Sequence, residues 1–125
     1  MHLVKQIEDM ELQLSEWRQD LHAHPELGFE EHRTSDFVAS KLEEFGVEVH
    51  REIGKTGIVG VLRQGNETRS IGLRADMDAL PIRETNEFSH KSKNPGKMHA
   101  CGHDGHTVML LAAAEYLAES RSFSL

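Results

Sequence analysis

The residues with the clearest capacity for chemistry lie in one short run, Met98 to His106, which holds the single cysteine and three of the nine histidines. Cys101 and His103 are two positions apart, so in an extended segment both side chains leave on the same face. A thiolate beside a neutral imidazole suits zinc or a similar divalent ion, and Gly102 permits a tight turn between them. The apolar stretch 107–117 predicts a helix, whose N-terminus favours an anionic ligand. We therefore predict that Cys101 and His103 are metal ligands.

The spacing of these residues also allows two structural interpretations of the run. A lone cysteine is often a small buried hydrophobe, and a histidine cluster is often a solvated loop. The run contains neither His-Glu-x-x-His nor a Cys-x-x-Cys pair. A structural zinc site needs about four ligands, whereas this run supplies two convincing ones.

Two carboxylates form a second candidate group. Asp76 and Asp78 follow an apolar run, 70–75, that predicts a strand, and their spacing points both to one side at the sheet edge where ligands bind in α/β proteins. An Asp-x-Asp turn or helix cap is the alternative, although two anions this close require a cation or a histidine between them. A carboxylate there could ligate an ion or hold a ligating imidazole in its tautomer.

A third group of imidazoles and carboxylates lies between residues 22 and 31. His22, Glu26 or Glu30 could reach a metal ion. We favour a structural interpretation, in which the histidines cap the end of the preceding helix and Glu30 and Glu31 lie in the first turn of the next one.

The elements that must position these groups follow from the spacing of apolar residues. Steps of three and four predict one amphipathic helix that ends before Pro25 and a second that ends at Gly46. Their apolar faces are Leu3, Ile7, Met10, Leu14, Trp17 and Leu21, and then Thr34, Phe37, Val38, Leu42 and Phe45. Three strands are predicted, which begin at residues 47, 58 and 70, and the last two are expected to pair as a hairpin. Two helices, a group of strands and a terminal helix predict an α/β layer arrangement, with a surface loop over 83–97 that contains a solvent-facing His90 and is long enough to act as a flap.

Length and composition exclude several classes of protein. The 125 residues fit one small domain, and the formal charge of −7 argues against a nucleic-acid surface. No block of Lys and Arg indicates a membrane partner. One cysteine cannot form an internal disulfide, and the N-terminus lacks the apolar core of a signal peptide, so we expect a cytoplasmic protein.

Three stretches of the chain together resemble a known family. They are Arg18-x-x-Leu21-His22-x-His24-Pro25-Glu26-Leu27-Gly28-Phe29-x-Glu31, Leu73-Arg74-Ala75-Asp76-Met77-Asp78-Ala79-Leu80-Pro81 and Met98-His99-Ala100-Cys101-Gly102-His103-Asp104-Gly105-His106. They resemble the hippurate hydrolase, indole-acetyl-amino-acid hydrolase and N-acyl-amino-acid amidohydrolase group. That group lies within the aminoacylase and carboxypeptidase-like superfamily of zinc metallopeptidases.

The resemblance implies an enzyme with two divalent ions (zinc, manganese, cobalt or nickel) that cleaves the amide bond of N-acyl amino acids with metal-activated water. It implies that residues 1–125 are the N-terminal part of an α/β/α layered catalytic domain, and that complete members are homodimers or larger. By analogy Cys101 is a bridging thiolate, His103 a terminal ligand and Asp78 a supporting carboxylate. Asp76 stands where related peptidases carry a ligand histidine. Residues expected to surround the ligands without binding the ion are Asp76, Asp104 and His106.

The chain departs from the family in its length. In the family, the general-base glutamate, the remaining ligands and a lid and dimerisation domain come from sequence downstream of the terminal helix. We therefore expect these 125 residues to be inactive alone. The alternatives are a non-catalytic metal-binding or interaction module, and an inert remnant in which Cys101 is buried.

Overall fold

The computed structural model describes residues 4–66 and 68–123. In chain order its elements are α1 (Lys5–Glu8), α2 (Glu11–Ala23), α3 (His32–Glu44), β1 (Glu48–Ile53), β2 (Gly57–Val61) and α4 (His103–Ser120). Among the predicted helix residues, Leu3 lies outside the described part. Within that part, no helix is both long enough and apolar enough to cross a membrane.

The first predicted helix is interrupted. Asp9 and Met10 form a turn between α1 and α2, in which their amides donate to the carbonyls of Lys5 and Ile7. No residue of α1 is buried, whereas Trp17 and Leu21 of α2 are. The predicted end before Pro25 is confirmed, since α2 stops at Ala23.

The second predicted helix ends as its sequence indicates. Gly46 has a φ of +79°, its amide donates to the carbonyl of Glu43, and the amide of Val47 donates to that of Leu42, both at 3.0 Å. These two bonds form a Schellman motif, in which a left-handed residue satisfies the last carbonyls of a helix. Leu42 and Val47 are both buried in the core, so the motif also fixes where β1 begins.

The small sheet corrects the predicted strand pairing. β1 and β2 form an antiparallel hairpin through the turn at 54–56, so the predicted hairpin between β2 and residues 70–75 is wrong. Within the described residues, 70–75 form no strand, and Ile71 and Leu73 are 69% and 59% exposed. An apolar run marks a segment suited to burial, but a strand also needs a neighbour that pairs with its backbone.

The core lies where the helices meet the hairpin. α4 packs on α2 and α3, and α3 packs on β1 and β2. The buried cluster consists of Trp17, Leu21, Leu42, Val47, Val108, Leu111 and Ala118. The rings of Trp17 and Phe37 form a T-shaped pair at a centroid distance of 6.2 Å. This packing fixes α4, whose first residue is His103.

Candidate metal centre

Backbone hydrogen bonds bring the three sequence motifs together. The amide of Ala79 donates to the carbonyl of Glu26 at 2.7 Å. Leu80 and Met98 exchange two amide-to-carbonyl bonds of 2.9 and 3.0 Å. Segments far apart in sequence therefore meet beside the N-terminus of α4.

His103 is held in one orientation by Asp78. Its Nδ1 lies 2.8 Å from the Asp78 carboxylate and 3.0 Å from the Asp78 backbone carbonyl. Both partners are acceptors, so Nδ1 carries a proton, and in the neutral form of the ring Nε2 keeps its lone pair. A carboxylate that fixes the tautomer in this way is the usual partner of a metal-ligating histidine. The turn into α4 uses Gly102, which has a φ of +84°.

Cys101 is exposed. The alternative in which its thiol is buried as a small hydrophobe is therefore wrong. An accessible sulfur two residues from an oriented imidazole is available to a cation.

Asp76 has partners different from those of Asp78. Its carboxylate pairs with Arg74 at 2.5 Å, and its carbonyl accepts from the Thr107 hydroxyl at 3.1 Å. The two carboxylates therefore do not share one cation, and the strand that was predicted to align them is not formed. Asp76 lines a surface groove of about 390 Å³ together with His106.

Two other residues, His106 and Asp104, were expected around the ligands, and His106 lies close to His103. It is exposed, and its ring centroid is 5.4 Å from that of His103. Asp104 is buried and binds Nδ1 of His22 at 2.9 Å and Nη1 of Arg18 at 3.3 Å. The contacts of Asp104 thus lie with α2.

The loop at 22–31 largely follows the structural interpretation. His24 Nδ1 donates to the carbonyl of Asp20 at 2.7 Å and so caps α2. Glu26 caps α3 by accepting from the amides of Arg33 and Thr34. His22, however, does not cap α2, because its ring binds acidic residues elsewhere in the chain.

Glu30 and Glu31 precede α3, so their predicted place in its first turn is wrong. Glu30 lies 3.7 Å from Lys97, and the buried Glu31 accepts from the Thr56 hydroxyl at 2.5 Å. The cap comes instead from Glu26, six residues before the first residue of α3. No local pattern in the sequence predicts that Glu26 reaches the amides of Arg33 and Thr34.

The sequence predicted no contacts for His90, which precedes the run, or for His99, which lies within it. His90 was predicted to face solvent, but it is half-buried and stacks on Phe88 at a centroid distance of 4.0 Å. His99 is buried, and its Nε2 has no hydrogen-bond partner among the described residues. Burial lowers the pKa of His99, while the nearby Asp104 charge opposes that shift.

The donor chemistry of Cys101 and His103 fits a divalent ion, but only as part of a ligand set. Across residues 4–66 and 68–123, no group of three or more His, Cys, Asp or Glu side chains is arranged to hold a metal ion. A tetrahedral zinc site takes four ligands, or three and a water molecule.

The model of the peptidase family M20/M25/M40 matches residues 72–124, a range that contains both predicted ligands and both carboxylates. Over these residues the chain is similar to that family. The hippurate hydrolase of Campylobacter jejuni subsp. jejuni is 55% identical over 124 residues, which are 99% of this chain and 32% of that protein. The N-acyl-L-amino acid amidohydrolase of Geobacillus stearothermophilus is 47% identical over 92% of this chain and 31% of that protein.

A solved M20 structure also matches the fold. The YXEP protein of Bacillus subtilis, described as a dinuclear metal-binding peptidase of the M20 family, aligns with a TM-score of 0.86 at 38% identity. The match covers 92% of this chain and 33% of that one. The predicted α/β fold class and the resemblance to the amidohydrolase group are therefore confirmed, and this chain spans about a third of the length of its relatives.

Proposed function

We propose that this chain forms part of the metal centre of an M20 amidohydrolase, which hydrolyses the amide bond between an acyl group and an amino acid. Residues 1–125 are, in this proposal, the N-terminal portion of its catalytic domain. Cys101 and His103 are ligands, with Cys101 bridging two ions drawn from zinc, manganese, cobalt or nickel. The substrates are small N-acyl amino acids, as the names of the two amidohydrolase relatives suggest.

The observation that carries the proposal is the bond between His103 and Asp78. It fixes the imidazole with Nε2 available, and the exposed thiol of Cys101 lies two residues away. A purely structural histidine gains nothing from keeping one nitrogen unpartnered, whereas a ligand requires it.

Each residue of the site has a defined task. Asp78 orients His103 and increases the basicity of its free nitrogen. Gly102 and the N-terminus of α4 place both donors on one turn of backbone. Bound divalent ions would polarise the acyl carbonyl and activate water for attack.

In the related family the general base lies downstream of α4, and across residues 4–66 and 68–123 no group of three or more possible ligands is arranged around one ion. A missing general base alone removes about two to four orders of magnitude in rate. In this proposal the isolated chain therefore binds an ion weakly and does not turn over substrate. Because the bridging ligand is an exposed single thiol, the proposal places the protein in a reducing compartment such as the cytoplasm.

Metal binding can be tested with Co²⁺, which develops a thiolate-to-metal absorption band when sulfur coordinates it. We expect this band with the wild-type chain and its loss in Cys101→Ala. His24→Ala is the matched control, since His24 caps α2 and should leave the band intact. Absence of a band in the wild-type chain at millimolar Co²⁺ would contradict the assignment of Cys101.

Catalysis can be tested by replacing the matching residues of the C. jejuni hippurate hydrolase with this chain, which is 55% identical to them. We expect the chimera to hydrolyse N-acyl amino acids and the isolated chain to be inactive. The chimera carrying His103→Ala should also be inactive. A folded chimera without activity, beside an active parent enzyme, would count against the proposed function.

A further inference from the structure

His22 occupies a position that the proposed metal centre does not explain. Its Nδ1 lies 2.9 Å from Asp104, and its Nε2 lies 2.6 Å from Glu84. The three side chains are 8%, 4% and 3% exposed, respectively. The partners are 82 and 62 residues away in sequence, so the ring joins three separate parts of the chain.

The donors and acceptors around the His22 ring indicate how many protons the ring carries. An ionised carboxylate only accepts hydrogen bonds, and a neutral imidazole has one N–H to donate. Both ring nitrogens face carboxylate oxygens, so both bonds exist together only when the ring carries two protons or one acid is protonated.

The surroundings of the two acids favour the ionised form. The Glu84 carboxylate also accepts from the Ser92 amide, and Asp104 also pairs with Arg18. Burial raises the pKa of Glu84, but hydrogen bonds from the Ser92 amide and from His22 outweigh it and hold that pKa below its ordinary value. With Arg18 and a charged ring, two buried anions face two cations, which is the balance that buried charges require.

The ring also connects the segments that frame the metal run. Asp104 follows His103 in the first turn of α4, and Glu84 begins the segment that returns to Met98. The rings of Phe88 and His90 both lie 5.7 Å from that of His22, and the ring of His99 lies at 6.4 Å. The charged groups that face His22 are therefore Arg18, Asp104 and Glu84, with the titratable rings of His90 and His99 at its side.

We propose that His22 is a positioning residue, a doubly protonated ring that ties Glu84 to Asp104 and so fixes the first turn of α4 beneath His103. Its effect on metal affinity rests on the proposed function. The tie itself does not, because it is defined by contacts within this chain. A neutral side chain at position 22 leaves two buried carboxylates without their shared cation.

The protonation state can be read directly from the ¹⁵N shifts of the histidine rings at neutral pH, with His22→Gln identifying the resonance. We expect both nitrogens of His22 to carry protons in the wild-type chain. In Glu84→Gln one anion is removed, and we expect the ring to lose a proton. A wild-type ring with one bare nitrogen would overturn the proposal, as would a Glu84→Gln ring unchanged from wild type.

The tie can be tested by amide hydrogen exchange and by Co²⁺ titration. In His22→Gln we expect faster exchange at Ser92 and at His106, whose amide closes the first turn of α4, and about 10- to 100-fold weaker Co²⁺ binding. His24→Gln is the matched control, because the His24 ring bonds to Asp20 of the helix that it caps.

Two further outcomes separate the possible failures. His22→Lys restores a cation with several donors, and we expect it to recover part of the protection that Gln loses. Unchanged exchange in His22→Gln, or equal exchange in the Gln and Lys variants, would refute the tie. If the wild-type chain binds no Co²⁺, the proposed function fails, and the ¹⁵N and exchange results still decide the role of His22.

Discussion

The bond between Asp78 and His103 allows a quantitative prediction for Asp78→Ala. Loss of a carboxylate that orients a ligating histidine typically costs 10- to 100-fold in metal affinity. Here the backbone carbonyl of residue 78 also accepts from His103 Nδ1, at 3.0 Å, and it survives the substitution. The tautomer is therefore still favoured, and we expect the low end of that range, about 10-fold or about 1.4 kcal/mol.

The assay is Co²⁺ titration followed by the thiolate absorption band, at fixed pH and salt. Asp76→Ala is the matched control, because the Asp76 carboxylate pairs with the exposed Arg74. We expect the affinity of this control to stay within about twofold, the scale of a surface ion pair. An unchanged affinity in Asp78→Ala would refute the orienting role of Asp78. A large loss in Asp76→Ala would instead make Asp76 a ligand, as the histidine at its position in related peptidases implies.

Three further predictions concern accessibility, backbone and pH. Cys101 should react with iodoacetamide in the folded chain, and saturating Zn²⁺ should slow the reaction if the thiol is a ligand; mass spectrometry measures both rates. Gly46→Ala should lower the free energy of unfolding by about 1 kcal/mol, because φ at this position is +79°. Gly105→Ala should raise it by about 0.5–1 kcal/mol, because Gly105 lies inside α4 and an added Cβ there would lie in open space. Urea titration compares the two variants, and equal effects would contradict the left-handed cap at Gly46. Burial and the Glu119 charge raise the pKa of Glu115, so the stability that the protonated side chain contributes is lost as pH rises through that pKa. The free energy of unfolding of Glu115→Gln should therefore exceed that of wild type at pH 7 but not below pH 4.5. A difference between the two proteins that does not depend on pH would refute this prediction.

Local signals in the sequence predicted some elements well. The end of α3 could be predicted because a glycine follows an amphipathic stripe, and the end of α2 because proline restricts the residue before it. The interruption at Asp9 and Met10 carries no glycine or proline, and nothing in the sequence explains it. The strand at 70–75 was predicted from its apolar content, which does not contain information about a pairing partner.

The residues of the candidate site were also predictable from the sequence only where the signal is local. Cys101 and His103 could be predicted as ligands because they lie two positions apart, and Asp78 could be predicted from a motif. The contacts of His22 with Asp104 and Glu84 could not, because they join residues 82 and 62 positions apart. A buried histidine between two acids has no local pattern, since each of the three residues is also common on exposed surfaces.

The pairing of acidic residues around the metal run explains why the described chain presents only two convincing ligands. A free carboxylate near a cation site would be drawn to it, but each acid near this run already has a partner. Those pairs are Asp76 with Arg74, Asp78 with His103, Asp104 with His22 and Arg18, and Glu84 with His22 and Ser92. Redirecting a buried member such as Asp104 to an ion would strand the charge of its partner, at a cost of several kcal/mol. These acids therefore act as partners of other side chains near the run, and Asp78 keeps the donor His103 in place.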